Sequence, residues 1–371
     1  MGTDMNIVVT GAKGFIGKNL CVMLKEHDYH NVVEVDRETT PEELAVFLAN
    51  ADFVFHLAGI NRPKDEAEFI TGNVDLTHFI IEQLDSLNKK VPLVVSSSTQ
   101  AERDNPYGRS KQAAEKIVAE YGQRTAAPYY IYRFPNVFGK WCRPNYNSFV
   151  ATFCYNTLNN IDITIHDPSA PVTLVYIDDV CHSLINLLQG QTEIGYRQVE
   201  PEYSTTVGEV AEVLRAFKGS RDNLVTEEVG SGLTRALYAT YLSYMTPSQF
   251  SYTIPSYGDE RGVFSEMLKT KHSGQFSFFT AHPGITRGGH YHHSKNEKFL
   301  VLTGKALFKF EHIVTGERYE LCTNGRTPQI VETVPGWSHD ITNVGDDELI
   351  VMLWANEIFD REAPDTIACP L

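Results

Sequence analysis

Five short apolar runs alternate with helix-like stretches through the first part of the chain, and this rhythm limits the fold more than any other feature. The runs lie at residues 6–10, 32–35, 53–57, 91–95 and 129–134. Apolar strands separated by helices predict a Rossmann-like α/β domain, a parallel sheet with helices on both faces. From Asn145 to Met245 the pattern is mixed, as expected where insertions build a substrate lobe, so the first domain is expected over residues 1–245. Residues 246–257 hold Pro247, Pro255 and three serines but no Lys, Arg, Asp or Glu, which reads as a linker. Beyond it the texture changes. Short runs at 276–280, 298–302, 306–310, 330–334 and 348–354 are separated by Gly and Asn-Gly turn signals. That spacing predicts an all-β barrel or sandwich over residues 258–371.

With 371 residues, more than one core is expected. The formal net charge of −15 argues against nucleic acid as a partner, because phosphates require a basic footprint. No apolar run reaches the roughly 18 residues that a membrane helix needs, so no membrane insertion is expected. The first residues, Met1-Gly2-Thr3-Asp4-Met5, lack a charged-then-apolar leader, and a cytoplasmic location is expected. The six cysteines are dispersed with no Cys-x-x-Cys, which points to reduced thiols.

The first apolar run leads into Thr10-Gly11-Ala12-Lys13-Gly14-Phe15-Ile16-Gly17, placed to open a helix. Glycines there let backbone N–H groups approach a pyrophosphate, which the helix N-terminus favours. Asp36 and Arg37 end the second run with opposite signals. An Asp there holds a ribose 2′-hydroxyl and an Arg accommodates a 2′-phosphate, and a merely solvated loop pair is the third possibility. Ser96-Ser97-Ser98 closes the fourth run, and Tyr107-Gly108-Arg109-Ser110-Lys111 follows. Tyr and Lys four apart share a helix face, and an ammonium beside a phenol is expected to lower the phenol pKa.

These segments resemble the extended short-chain dehydrogenases/reductases. The likeness covers residues 5–245 and includes Leu57-Ala58-Gly59, Asn73, Arg133 to Gly139 and Tyr176 to Val180. It implies that Tyr107 is the acid/base, Ser98 its hydroxyl partner, and Lys111 a second contact to the nicotinamide ribose. It also implies a nucleotide-sugar substrate contacted by Asn136 and Asn147. The arginine that often precedes the Asp178-Asp179 segment in that family is replaced here by Pro171-Val172-Thr173-Leu174.

The second half carries its own cluster. His290-Tyr291-His292, then Glu297, then Gly304 follow Gly284, and His339 lies in Pro335-Gly336-Trp337-Ser338-His339. Histidines one residue apart on a strand face the same way, and imidazoles with a carboxylate suit zinc or a similar divalent metal. The spacing resembles the cupins, small jelly-roll barrels, with a looser second motif at Pro335 to Asn343. By that resemblance the metal ligands are His290, His292, Glu297 and His339. The alternative is a sugar-binding cupin whose histidines make only hydrogen bonds. A second likeness overlaps the first. Asp259 to Glu266 and Thr286-Arg287-Gly288-Gly289-His290-Tyr291 resemble the 4-keto-6-deoxy-sugar 3,5-epimerases, in which the matching histidine is a base and arginines, here Arg261 and Arg287, meet the nucleotide phosphates. His290 cannot bind a metal and act as a free base at once, so both roles stay open.

Taken whole, the chain resembles the two-domain capsular-polysaccharide enzymes that join a reductase to a cupin. Lys140-Trp141-Cys142, Pro144 to Ser148, Tyr241 to Tyr244 and Asn296 to Val301 carry that likeness. It implies NADPH as cofactor, a UDP-activated 2-acetamido-6-deoxy-4-keto sugar as substrate, C3 epimerisation in the cupin, C4 reduction in the first domain, and a homodimer through the cupin. Two other readings remain: a plain reductase with a non-catalytic barrel, and an epimerase or dehydratase that retains its NAD.

Overall fold

The computed structural model describes residues 4–190, 193–254, 256–259, 262–265, 268–270, 274–357 and 362–371. The chain divides into two compact units. One comprises Met1–Phe138, Asn145–Ser148 and Val172–Ser204; the other comprises Gly139–Pro144, Phe149–Pro171 and Thr205–Leu371.

In the first unit, strands Val32–Val35, Ile7–Thr10, Phe53–His56, Leu93–Ser98, Tyr129–Phe134 and Gly195–Arg197 form one sheet in that spatial order. All the pairings are parallel. Ile7, Val8, Val9, Val54, Phe55, Leu93, Val94 and Ile131 are fully buried, which explains why these runs are apolar throughout and do not alternate. Helices Phe15–Glu26, Pro41–Ala49, Leu76–Ser86, Pro106–Thr125 and Ile177–Asn186 connect or flank the strands. The second strand lies on one side of the first and the third on the other. This reversal creates a switch point beyond the carboxyl ends of Ile7–Thr10 and Phe53–His56, where ligands bind in open α/β sheets.

The second unit is built on two five-stranded antiparallel sheets. One runs Ser251–Thr253, Gln329–Glu332, Glu297–Thr303, Leu349–Ala355, Gln275–Ala281; the other runs Arg318–Asn324, Lys305–His312, Trp337–Asn343, Thr286–Tyr291, Ile367–Ala368. Phe299, Val301, Phe308, Phe310, Ile341 and Val351 are buried from both sheets, as a cupin-like barrel requires.

Two expectations change here. Residues 246–254, within the expected linker, are built into the barrel: Ser251–Thr253 pairs with Gln329–Glu332, and Phe250 is fully buried beside Phe310 and Trp337. A stretch without charges suits burial as well as it suits a linker, and the alternation of Phe250, Tyr252 and Ile254 decides between them. The expected substrate lobe also divides. Helices Val207–Asn223 and Gly232–Leu242 group with the barrel, where Arg221 meets the buried Glu332 and Arg235 meets Glu357 at 2.9 Å. All six cysteines are free. No helix among the described residues is long and apolar enough to cross a membrane.

Candidate active sites

The glycine-rich turn after the first strand is shaped by close approach. Gly11 has φ +69°, and a Cβ there would stand 2.7 Å from the backbone nitrogen of Ala58. The turn and the segment Leu57-Ala58-Gly59 are thus pressed together across the switch point, leaving Gly14 to begin helix Phe15–Glu26. A Cβ on Gly59 would meet both Lys111 Nζ and Asn73 Oδ1 at 2.9 Å. Asn73 is buried and pins this segment, accepting from Ile60 N (2.8 Å) and donating to Ile60 O (3.1 Å) and Ser110 Oγ (3.0 Å). His56 bridges Thr10 Oγ1 (2.8 Å) and Thr77 Oγ1 (2.9 Å), and burial, helped by Lys111, pushes it down to about 3, so it is neutral.

Asp36 is engaged. Lys13, from the glycine-rich turn, forms an ion pair with it, and the hydrogen bond from Lys13 holds the carboxyl below its usual range. Arg37 is exposed.

Helix Pro106–Thr125 starts where Asn105 caps it, accepting from Gly108 N at 2.8 Å, with Pro106 at the first helical position. Tyr107 therefore lies in the first turn and Lys111 one turn later. Tyr107 Oη donates to Asn61 Oδ1 at 3.0 Å. Lys111 is buried, donates to Ser96 O at 3.0 Å, and lies 5.9 Å from the Tyr107 ring centre. The expected lowering of the phenol pKa is not found. Burial pushes Tyr107 up, with the Ser98 hydroxyl acting the other way, while burial pushes Lys111 down to about 8 against the pull of Glu115. Desolvation outweighs the Ser98 hydroxyl, and the Lys111 ammonium is directed at a carbonyl. Ser98 caps the turn at Thr99–Glu102, accepting from Gln100 N at 3.2 Å.

Below this pair sits a carboxylate that the sequence did not single out. Glu115 is buried and accepts from Ser97 Oγ (2.5 Å), Arg133 Nε (2.9 Å) and Nη2 (2.7 Å), and Tyr196 Oη (3.2 Å). Its spacing from Lys111, one further helical turn, was the available signal. Asn136 donates to Thr173 O at 3.1 Å and Asn147 is exposed; both belong to the first unit.

In the barrel, one ligand atom from each of His290, His292, Glu297 and His339 falls within 4.8 Å of the others. His290 and His339 are directly paired across neighbouring strands, next to a bulge between Gly288 and His290. His292 lies just past the strand end and still converges, its ring 5.0 Å from His290 and 5.3 Å from His339. The bulge precedes both histidines, so alternation from His290 to His292 still brings the two rings to one side. Burial, with the neighbouring His339 and His292 rings, pushes His290 down to about 4, and burial also lowers His339. Burial opposes ionisation of Glu297, yet His292, His339 and Lys295 hold its carboxyl well below its usual range.

Two observations test whether these residues fit a cation. His292 Nδ1 lies 2.5 Å from the carbonyl oxygen of Asp365, so it carries the proton. In a neutral ring the bare Nε2 then faces Glu297 Oε2 at 3.3 Å, two lone-pair donors turned toward each other. His339 is buried, and neither of its ring nitrogens has a hydrogen-bond partner among the described residues; Glu297 Oε2 is 3.6 Å away. Buried orphan nitrogens beside a carboxylate fit a divalent metal.

Arg287 is exposed and stacks over Phe279 at 5.3 Å. Arg261, with Glu260 and Glu266 of the same motif, lies outside the described residues.

Comparisons with known proteins agree with both halves. Residues 7–197 match the NAD dependent epimerase/dehydratase family, and residues 257–367 match the polysaccharide biosynthesis C-terminal domain. The chain is 56% identical over 366 residues to a UDP-2-acetamido-2,6-beta-L-arabino-hexul-4-ose reductase of Pseudomonas aeruginosa, covering 98% of each. It is similar to the crystal structure of the capsular polysaccharide assembling protein CapF from Staphylococcus aureus, with a TM-score of 0.68 and 41% identity over 99% of this chain and 100% of that one. Its similarity to MoeE5 in complex with UDP-glucose and NAD has a TM-score of 0.52 and 25% identity, over 58% of this chain and 82% of that one. A glycine-rich turn at a switch point, a Tyr-Lys helix and a cupin-like barrel on one polypeptide thus place this chain in the NAD dependent epimerase/dehydratase family, among the capsular-polysaccharide reductases that carry the additional C-terminal domain.

Proposed function

We propose that the chain is a two-site nucleotide-sugar enzyme. The barrel inverts C3 of a UDP-2-acetamido-2,6-dideoxy-4-ketohexose, and the parallel-sheet domain reduces C4 with NADPH, giving UDP-2-acetamido-2,6-dideoxy-β-L-talose. One observation carries the reading: a single chain holds a Tyr107–Lys111 pair and a His290–His292–Glu297–His339 cluster, and a 4-keto sugar is the compound on which both can act.

In the sheet domain the bound dinucleotide supplies the hydride. Gly11, Gly14, Phe15, Ile16 and Gly17 would cradle its pyrophosphate, with Leu57, Ala58 and Gly59 beside them. Tyr107 would give its proton to the new C4 alkoxide, and a phenol pushed up by burial remains protonated at neutral pH, as a donor must. Ser98 and Lys111 would hold that geometry. The Lys13–Asp36 pair supports NADPH over NADH, because it withdraws the carboxylate that would bind a 2′-hydroxyl and leaves Arg37 for a 2′-phosphate.

In the barrel the C4 ketone acidifies the C3 hydrogen. A divalent cation such as zinc, when bound, supplies electrophilic stabilisation of the negative charge that develops on the ketone oxygen. His290, His292, Glu297 and His339 would hold it, and a His290 pushed down to about 4 is a poor match for a free base at neutral pH. Epimerisation must precede reduction, since reduction removes the carbonyl. Arg287 and Arg261 are assigned to the nucleotide phosphates, and Asn136 and Asn147 to the sugar in the reductase. We also infer a homodimer through the barrel: Phe276 and Phe278, 46% and 70% exposed, lie on Gln275–Ala281, the outer strand of its sheet.

The test is product analysis with the 4-keto sugar in deuterated water, with and without NADPH. The expected products are a C3-deuterated, epimerised ketone without NADPH and the reduced sugar with it. Reduction without any C3 exchange would make the barrel a non-catalytic binding module.

A further inference from the structure

The last described segment, residues 362–371, meets His290 and His292 of the cluster directly and the neighbours of His339 and Glu297. Ile367–Ala368 pairs antiparallel with Thr286–Tyr291, setting Ala368 opposite His290. Cys369 N donates to Gly289 O at 2.8 Å, and Ser338 Oγ, next to His339, donates to Cys369 O at 2.5 Å. Asp365 makes the densest set of contacts. Its main-chain carbonyl takes the His292 Nδ1 proton at 2.5 Å. Its carboxylate collects three consecutive backbone N–H groups, His293 on Oδ1 (2.8 Å), then Ser294 and Lys295 on Oδ2 (2.6 Å each), with Ser294 Oγ at 3.0 Å. With Asn296, those three residues link His292 to Glu297, and Lys295 Nζ reaches Glu297 Oε1 at 2.9 Å.

We propose that Asp365 is a positioning residue of the barrel site, fixing with its carbonyl the His292 tautomer that leaves Nε2 bare and with its carboxylate the loop that delivers Glu297. The inference rests on the reading of the cluster as a divalent-metal site. A loop of three buried backbone N–H groups gathered on one half-buried carboxylate has a single favoured shape, because no alternative acceptor compensates buried donors at lower cost. A ligating imidazole is oriented by what its other nitrogen donates to, and loss of such partners weakens metal affinity about 10–100-fold.

The experiment uses the full chain and two variants, Asp365→Ala and Asp365→Asn, the second keeping side-chain shape and one acceptor oxygen. Backbone hydrogen–deuterium exchange of the peptide spanning 290–298 is followed in chelator-treated protein. Cobalt(II) affinity and its visible ligand-field spectrum are measured in parallel, with NADPH binding as the check that the first unit is intact. The expected result is faster exchange at 293–295, cobalt affinity lower by about 10–100-fold and a shifted spectrum in Asp365→Ala, with Asp365→Asn between it and wild type. Unchanged exchange in both variants overturns the clamp. Faster exchange with wild-type affinity and spectrum overturns positioning and leaves a structural contact. If wild-type protein takes up no cobalt, the metal reading fails on its own. The positioning role is then decided by C3 deuterium incorporation: a rate in Asp365→Ala below wild type upholds it, and a wild-type rate overturns it.

Discussion

The two candidate sites differ in how their buried polar groups are satisfied. Around Tyr107 the protein closes its own account of hydrogen bonds: Lys111 is spent on Ser96 O, and Glu115 receives donors from Ser97, Arg133 and Tyr196. In the barrel, His339 has no hydrogen-bond partner among the described residues, and in a neutral His292 ring a bare nitrogen faces a carboxylate. A site already satisfied by protein needs from its ligand only a reactive group held in place. A site with convergent lone pairs is one that a bound cation, as proposed for the barrel, would complete. The contrast teaches that the first site is preorganised by protein alone, whereas the proposed metal would complete the second.

The strongest way to break this contrast is to remove an orphan ligand. His339→Ala should lower bound zinc from about one ion per chain to under a tenth of that, read by elemental analysis, with NADPH affinity unchanged. Retained zinc would remove the distinction between the sites. Next is a buried pair within the second unit. Glu332 is 2% exposed and joins Lys298 to Arg221. Glu332→Ala strands a buried ammonium and should destabilise that unit by about 3–5 kcal/mol in denaturant melts; a loss below about 1 kcal/mol would mean the charges are relieved by solvent.

A smaller effect is expected at the cofactor edge of the first site. Arg37→Ala should weaken NADPH by about tenfold, the scale of a charge-assisted contact, and leave NADH nearly unchanged. Equal loss for both would reassign Arg37 to the solvated loop. The smallest effect is a pH slope. His56 is neutral in the folded chain down to about 3, against a usual value of 6.5. As pH falls through 6.5 the unfolded state takes up a proton that the folded state refuses, so the stability held above 6.5 is lost progressively toward 3. His56→Gln should flatten that part of the profile of melting temperature against pH, whatever it does to the midpoint at neutral pH.

The fold and chemistry were legible to different depths. Apolar runs without alternation reveal a doubly covered sheet, and a Gly-x-x-Gly-x-x-Gly turn or a Tyr-x-x-x-Lys helix is local, so spacing exposes it. The convergence of His290, His292, Glu297 and His339 was legible for the same reason, as a spaced motif. Asp365 was not, because it meets residues 293–295 across about seventy positions and sits in no motif. Glu115 was missed although it lies one turn past Lys111, since a glutamate on a helix reads as solvated until its four donors are seen. Residues 246–254 show the opposite failure: Pro and Ser suggested a linker, but an uncharged segment ending in the alternating Phe250, Tyr252 and Ile254 is a strand waiting for a partner.

The central claim is that two sites on one chain act on one ketone in separable steps. Tyr107→Phe tests it most directly, with NADPH consumption and C3 deuterium incorporation measured on the same protein and the same 4-keto sugar. The account predicts that NADPH consumption falls by about 10²–10⁴-fold, the usual contribution of a positioned acid, while C3 incorporation continues at the wild-type rate. Loss of both together would contradict it.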